Sequence, residues 1–341
     1  MLPIAQLLER HPRTDLQSSN TPLDPMPRLS VSFGGSLYVK RDDCQRLGMG
    51  GNKIRQLEFY FGDALAKGAD TVLITGAVQS NFVRSTAAAA AKLGMDCHVQ
   101  LEERVADPDS DYRRSGNVLL DQLYGATIHH FPEGEDEAGA DARVHEIADE
   151  LKQKGHKPYV IPLSPGHPPR ASLGYVVVAQ ELLQQFKEQE LDVGEIVVAS
   201  GSGSTHGGLL FGLRALGSDI RVTGVCVRRE TELQTPRIAA RCEEIADLLE
   251  CENPVPTDDV ITQDDWLAPG YGKAGEGVLS AIMTAARMEA LICDPTYTGK
   301  VFAGFLSAAV QRKDGRAKVF IHTGGTPGIF GYVDVLSAAA G

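Results

Sequence analysis

Short β-branched runs alternate with Ala-, Leu- and Glu-rich helical stretches along almost the whole chain. Strands are expected at Ser36–Lys40, Thr71–Thr75, Cys97–Glu102, Pro158–Pro162, Glu195–Ser200, Ile220–Val227 and Ala317–His322. Helical stretches such as Asn81–Leu93 and Leu173–Glu190 lie between them. Parallel strands need long crossovers, and helices supply them. The strands are apolar throughout rather than alternating, as strands covered on both faces are. The expected fold is therefore α/β, with mostly parallel twisted sheets covered by helices. At 341 residues the chain is long for one compact domain and short for three, so two interlocked domains are expected.

A formal net charge of -12 argues against nucleic acid, whose phosphates demand a basic face. The longest apolar stretches are strand length, well short of the roughly 18 residues that span a bilayer. Residues 1–13 carry neither an apolar run nor a small-residue cleavage site, so no secretion is expected. The six cysteines are scattered without CxxC spacing, which suits buried free thiols in a reducing compartment better than disulfides or zinc. The expectation is a soluble cytoplasmic protein with no metal site. Glu133–Ala142 is polar and acidic, and reads as a solvated surface connection.

Gly and Ser concentrate where strands end and helices begin, at Met49–Lys53, Ser200–Gly208 and His322–Gly328. Ligands of parallel α/β sheets sit at the carboxyl ends of strands, so these loops are expected to converge on one crevice. The Ser200–Gly208 loop offers backbone N–H groups and a helix dipole to a phosphate. It lacks the Lys-Ser or Lys-Thr of a P-loop, and its plainer reading is a tight turn where helix meets sheet. Lys53 stands at a helix start, where the dipole disfavours a surface lysine, beside two glycines that permit close approach of a ligand. A primary amine is what an aldehyde cofactor needs; an ordinary solvated lysine is the alternative. Gln79, Ser80 and Asn81 end the strand 71–75, where a side chain either caps the next helix or points into a strand-end crevice. Tyr271 and Tyr297 lie in Pro/Gly-bounded turns, as packed residues, acids or stacking partners. For His206 and His322, inside the glycine loops, positioning or packing is the favoured role.

Together these motifs resemble the fold-type II enzymes of pyridoxal 5′-phosphate (PLP), the tryptophan synthase β-subunit superfamily. Within it, the similarity is to the D-cysteine desulfhydrase and 1-aminocyclopropane-1-carboxylate (ACC) deaminase family. It runs through Thr21–Leu29, Lys40–Asp43, GGNKIRQLEF, QSN, Leu173–Tyr175, ASGSGSTHGG, APGYG, DPTYTGK and HTGG, in the family's order. The resemblance implies a larger domain made of residues 1–52 and 166–341, and a smaller one of residues 53–165, with PLP in the cleft between. It implies that Lys53 carries PLP and that Ser200, Gly201, Ser202, Gly203, Ser204 and Thr205 form the phosphate cup. Asn81 matches the residue that binds the cofactor's 3′-oxygen, and Ser80 the one that meets the substrate carboxylate or the Lys53 amine. Tyr271 and Tyr297 match active-site tyrosines, and Thr298 and Thr323 also border the cofactor. A small amino-acid substrate and a homodimer are the expected partners.

Two positions bear on the reaction. ACC deaminases carry Glu and Leu where this chain has Thr298 and Thr323. A carboxylate at the pyridine nitrogen keeps it protonated and deepens the electron sink, which a hydroxyl does far less. The residues therefore favour α,β-elimination from a D-cysteine-like amino acid to pyruvate, ammonia and sulfide. ACC deamination, cysteate sulfo-lyase activity, β-replacement of the cysteine synthase type and cofactor binding without catalysis are the alternatives. Two departures bear on the substrate: Phe82 replaces the family's His, and SPGH (Ser164–His167), followed by Pro168, Pro169 and Arg170, stands where the family has GGSN. His167 or Arg170 is accordingly a candidate to meet an anionic leaving group, against a proline-stiffened surface loop.

Overall fold

The computed structural model describes residues 3–16, 18–162, 166–312 and 314–341. Along them run β1 (Leu23–Pro25), β2 (Leu37–Lys40), β3 (Thr71–Ala77), β4 (Asp96–Glu102), β5 (Thr127–Phe131), β6 (Pro158–Ile161), β7 (Val193–Ser200), β8 (Arg221–Cys226), β9 (Ile261–Gln263) and β10 (Ala317–Ile321). The sheets are β5-β4-β3-β6 and β1-β2-β10-β7-β8-β9. The first is parallel throughout. The second is parallel except for β1, which runs antiparallel to β2. The architecture is thus mixed α/β with two mostly parallel sheets covered by helices.

Every expected strand is present, its ends within two residues of expectation. The unexpected ones have a common reason. β1, β5 and β9 are edges, and β5 carries His129 and His130 in a half-exposed pattern. Edge strands bury one side or none, so no apolar run announces them.

Helices fill both faces of each sheet. The helix Lys53–Ala66 is buried all round from Ile54 to Ala64: Phe59 enters the core over the six-stranded sheet, while Ile54, Leu57 and Phe61 enter that of the other. The helices Arg170–Glu188 and Ser204–Ala215 lie unusually close. A Cβ on Gly208 would stand 2.3 Å from the Ser172 carbonyl oxygen, so only glycine fits there. That contact holds the start of the second helix, and the loop before it, against the sheet.

The KRDD segment is structural. Lys40 and Arg55 both pair with Glu181, and Arg55 also holds Asp42 at 3.0 Å. All four side chains are at most 5 % exposed, so the cluster is a buried network joining β2 to the helices 53–66 and 170–188.

The acidic stretch Glu133–Ala142 departs from expectation. Asp136 accepts the Gly139 N–H at 2.8 Å and starts the helix Glu137–Gln153. Ala140, Val144 and Ile147 bury the helix's inner face, which turns Glu137 and Asp141 toward the protein rather than solvent. The six cysteines are free, with Cys97, Cys226, Cys242 and Cys293 buried. Among the described residues no helix is long and apolar enough to cross a membrane.

Candidate active site

One crevice gathers the ends of β3, β4, β7 and β8. Asn52, Lys53, Ser80, Asn81, Gly201, Ser202, Gly203, Thr205, Tyr271, Tyr297 and Thr323 all line it, so the three glycine loops meet there.

Lys53 is the first residue of its helix. Burial, with no carboxylate beside it, lowers its amine to about 8. Its Nζ lies 3.2 Å from Gln56 Oε1 and 5.2 Å from the centre of the Phe82 ring. Phe82, where the family's histidine was expected, thus gives the amine an apolar face. An amine so placed sheds its proton far more readily than an ordinary lysine and becomes a nucleophile.

The Lys53 helix and the phosphate-cup loop are tied through one hydroxyl. Asn52 Nδ2 and Gln56 Nε2 each donate to Thr205 Oγ1 at 2.8 Å. A threonine hydroxyl has two lone pairs and one proton. With both lone pairs engaged, its proton remains to donate to an acceptor. Gly203 precedes the helix at φ 98°, in the left-handed region. The first helical turn after it presents N–H groups that have no partner within the helix. An anionic ligand with several acceptor oxygens fits this donor set.

Ser80 caps the helix Asn81–Leu93 by accepting the Val83 N–H at 3.3 Å, so capping and facing the crevice coexist. Asn81 Oδ1 accepts from Asn117 Nδ2 at 3.0 Å, and Asn117 is itself held by the Gln79 side chain and carbonyl. The Asn81 amide N–H groups are thereby left to donate. The hydroxyls of Tyr271 and Tyr297 are hydrogen-bonded to each other, with ring centres 5.9 Å apart at 78°.

Other expected positions lie elsewhere. The Ser200 hydroxyl is buried against His206 Nδ1 (3.1 Å) and Gln234 Nε2 (2.9 Å). Ser204 borders a small neighbouring recess. Thr298 Oγ1 donates to Asp294 Oδ1 at 2.7 Å and is fully buried. The side chains of these three residues do not form the crevice wall; the start of a helix turns Ser204 and Thr298 inward. His206, lowered to about 4 by burial, and His322, bonded to the Ile292 carbonyl at 3.0 Å, are positioning groups. Ser164 lies outside the described residues. His167 Nε2 faces Asp141 Oδ2 at 3.4 Å and Arg170 pairs with Asp63 at 3.2 Å, so neither meets the crevice. Sequence reasoning missed Arg104, Arg228, Arg229 and Arg237, which do line it. For Arg104, Arg228 and Arg229 the only signal was position just beyond β4 and β8, at the carboxyl ends of parallel strands; Arg237, on the helix Thr231–Leu249, had none.

This fold, with a buried lysine facing a glycine-loop anion cradle, defines a class of cofactor-dependent enzymes. The chain belongs to the pyridoxal-phosphate dependent enzyme family, whose pattern matches residues 15–324. A D-cysteine desulfhydrase of Klebsiella pneumoniae is 41% identical over 329 residues, 96% of this chain and 98% of that protein. One of Salmonella paratyphi B is 41% identical over 327 residues, 95% and 97% of the two chains. A crystal structure of an ACC deaminase homologue superposes with a TM-score of 0.88 at 39% identity, covering 99% of both chains. An O-ureido-L-serine synthase shares the fold, with a TM-score of 0.67 at 19% identity over 96% of this chain and 92% of its own. Lys53, the Thr205 proton, the first turn after Gly203 and the Asn81 amide fit PLP's aldehyde, phosphate and ring oxygen. When bound, PLP supplies an electron sink for the pair released from Cα.

Proposed function

We propose that this enzyme eliminates a β-substituent from a small D-cysteine-like amino acid, leaving pyruvate and ammonia. The observation that carries the reading is the buried Lys53 amine, lowered to about 8, in one crevice with Ser80 and the Tyr271–Tyr297 pair. The helix N-terminus at Ser80 and Asn81 receives the substrate carboxylate. Its partial positive charge and free N–H groups suit an anion. Lys53 holds the cofactor and takes the α-proton. The tyrosine pair stands where a leaving group acquires a proton. Thr298 turns its hydroxyl to Asp294, so this position presents no carboxylate to the crevice, which favours elimination over ACC ring opening. The D-cysteine desulfhydrases at 41% identity support the same reading.

The chain divides at about residues 52 and 166 into a larger and a smaller domain, a reading supported by the membership of the two sheets. It works as a cytoplasmic homodimer, a reading that rests on the family resemblance and, for the compartment, on six free thiols.

The experiment is a pyruvate assay of the PLP-loaded protein with D-cysteine, β-chloroalanine and ACC. Pyruvate from the first two, and less 2-oxobutanoate from ACC, is the expected result. Preference for ACC would overturn the argument from Thr298.

A further inference from the structure

Four guanidinium groups crowd the crevice, more positive charge than the carboxylates around them balance. Arg104 stands just beyond β4, Arg228 and Arg229 just beyond β8, and Arg237 on the helix Thr231–Leu249. Their side chains are only 10–17 % exposed. Glu102 serves Arg104 at 2.6 Å. Glu137 alone meets Arg229, Arg228 at 2.7 Å and Arg237 at 4.0 Å. The solvent-exposed Glu135 reaches Arg228 at 3.3 Å, and Asp141 is turned to His167. Burial and mutual repulsion lower Arg229, and lower Arg237 to about 10. A buried cation short of partners is unfavourable, and an anion at this place relieves it.

The arginines divide by position. Arg237 Nε donates to the Ser202 carbonyl at 3.2 Å and so belongs to the phosphate loop. Arg104 lies across the crevice, its guanidinium 6.0 Å from the centre of the Tyr271 ring, beside the tyrosines that meet the leaving group. The substrate's own carboxylate already has the helix end at Ser80. What remains for Arg104, Arg228 and Arg229 is a second anionic group on the substrate.

Resting on the lyase reading above, we propose that Arg104, Arg228 and Arg229 form an oxyanion subsite that selects an α-amino acid bearing a sulfonate on Cβ. A carboxylate there does not depart with the bonding pair, whereas a sulfonate does. The Cα proton passes to Lys53 and the C–S pair leaves with sulfur as sulfite. The remaining 2-aminoacrylate takes up water to give pyruvate and ammonium. No oxidant or reductant is required.

The test uses the PLP-loaded enzyme with D- and L-cysteate, D-cysteine, O-phosphoserine and β-chloroalanine, reading pyruvate together with sulfite or sulfide. Calorimetric binding of the unreactive 3-sulfopropanoate gives a readout apart from turnover. Cysteate is expected to exceed D-cysteine in kcat/KM by about ten-fold or more, the scale of one charge-assisted contact. Arg104→Gln is expected to cost cysteate about ten-fold more than β-chloroalanine, and to weaken 3-sulfopropanoate by a similar factor. Arg104→Lys should recover part of both. Since Arg104→Gln leaves the buried Glu102 without its cation and with only the Thr75 hydroxyl at 2.7 Å, Arg228→Gln provides a second variant, in which Glu137 keeps Arg229. Pyruvate from β-chloroalanine with none from cysteate overturns the subsite and leaves the lyase reading intact. A preference for O-phosphoserine, or equal 3-sulfopropanoate affinity in wild type and both Gln variants, also overturns it. No pyruvate from any substrate would instead remove the lyase reading.

Discussion

Tyr271 and Tyr297 share one hydrogen bond between their hydroxyls, and their surroundings make the two phenols unequal. Burial raises both, and Tyr297 is pushed well above the usual tyrosine range. Tyr271 is raised less, because Arg104 and the bond from Tyr297 favour its ionised form. Tyr271 is therefore the phenol that gives up a proton more readily, and Tyr297 holds it. Tyr271→Phe is expected to lower kcat by about a hundred-fold, the usual scale for a lost general acid. Tyr297→Phe should cost less and move the alkaline limb of the kcat profile upward, since the bond favouring Tyr271 ionisation is gone. Equal losses with unchanged pH profiles would refute this division.

Lys53 gives a pH-dependent prediction in the cofactor-free protein. Its folded pKa, about 8, lies below the ordinary value of 10.5. The unfolded chain thus binds more protons between those values, and wild-type stability from this group rises with pH there. Below pH 8 the penalty of a buried charge is complete, at most about 3 kcal/mol. Lys53→Met should therefore stabilise the cofactor-free protein at pH 7. The gain should shrink above pH 8 and vanish near 10.5, as urea titrations across that range will read. A gain independent of pH would mean that packing, not charge, is responsible.

Gly203 is needed for its backbone. At φ 98° a side chain is strained, and its Cβ would lie 3.3 Å from Ile238 Cδ1. Gly203→Val is expected to cost about 1–3 kcal/mol of loop geometry and to weaken PLP retention at least about ten-fold. Dialysis against cofactor-free buffer, followed by the visible band, measures this. Undiminished retention would make the loop a simple turn.

The parallel sheets were legible because strands such as Val72–Ile74 are buried on both sides and carry continuous apolar runs. The same logic hid β5, whose edge position tolerates His129 and His130. Lys53, Ser80 and Asn81 were legible because strand-end glycines and caps are local signals. Thr298 was misread in orientation: its hydroxyl closes on Asp294 four residues earlier, a helix-start geometry that spacing alone does not reveal. The arginines escaped because nothing local marks a cation as facing a crevice. Glu137 escaped for a related reason, since an acidic helix start looks like any solvated stretch until its partners come from another sheet.

The buried network around Glu181 yields the last prediction. Glu181 accepts from Lys40, from Arg55 at 2.6 and 3.0 Å, and from the Thr21 N–H at 2.9 Å. Burial alone would raise Asp42, but Arg55, Lys40, and the hydroxyls of Tyr175 and Thr21 together hold it below the usual carboxylate range. Two cations therefore share two carboxylates with little water to screen them. Glu181→Gln keeps the shape and one acceptor but strips a charge, leaving Lys40 and Arg55 with Asp42 alone. Breaking such a pair from one side costs about 3–5 kcal/mol, more than the pair itself contributes. Because Arg55 lies two residues beyond Lys53 on the same helix, the variant should also bind PLP more weakly. The remaining Asp42 contribution is present above the ordinary carboxylate pKa and lost as pH falls through its lowered one, so both proteins should weaken in acid. Denaturant titrations at pH 7, with PLP titration of each protein, test this. A loss below about 1 kcal/mol would show that water or a shifted Lys40 proton compensates the missing charge.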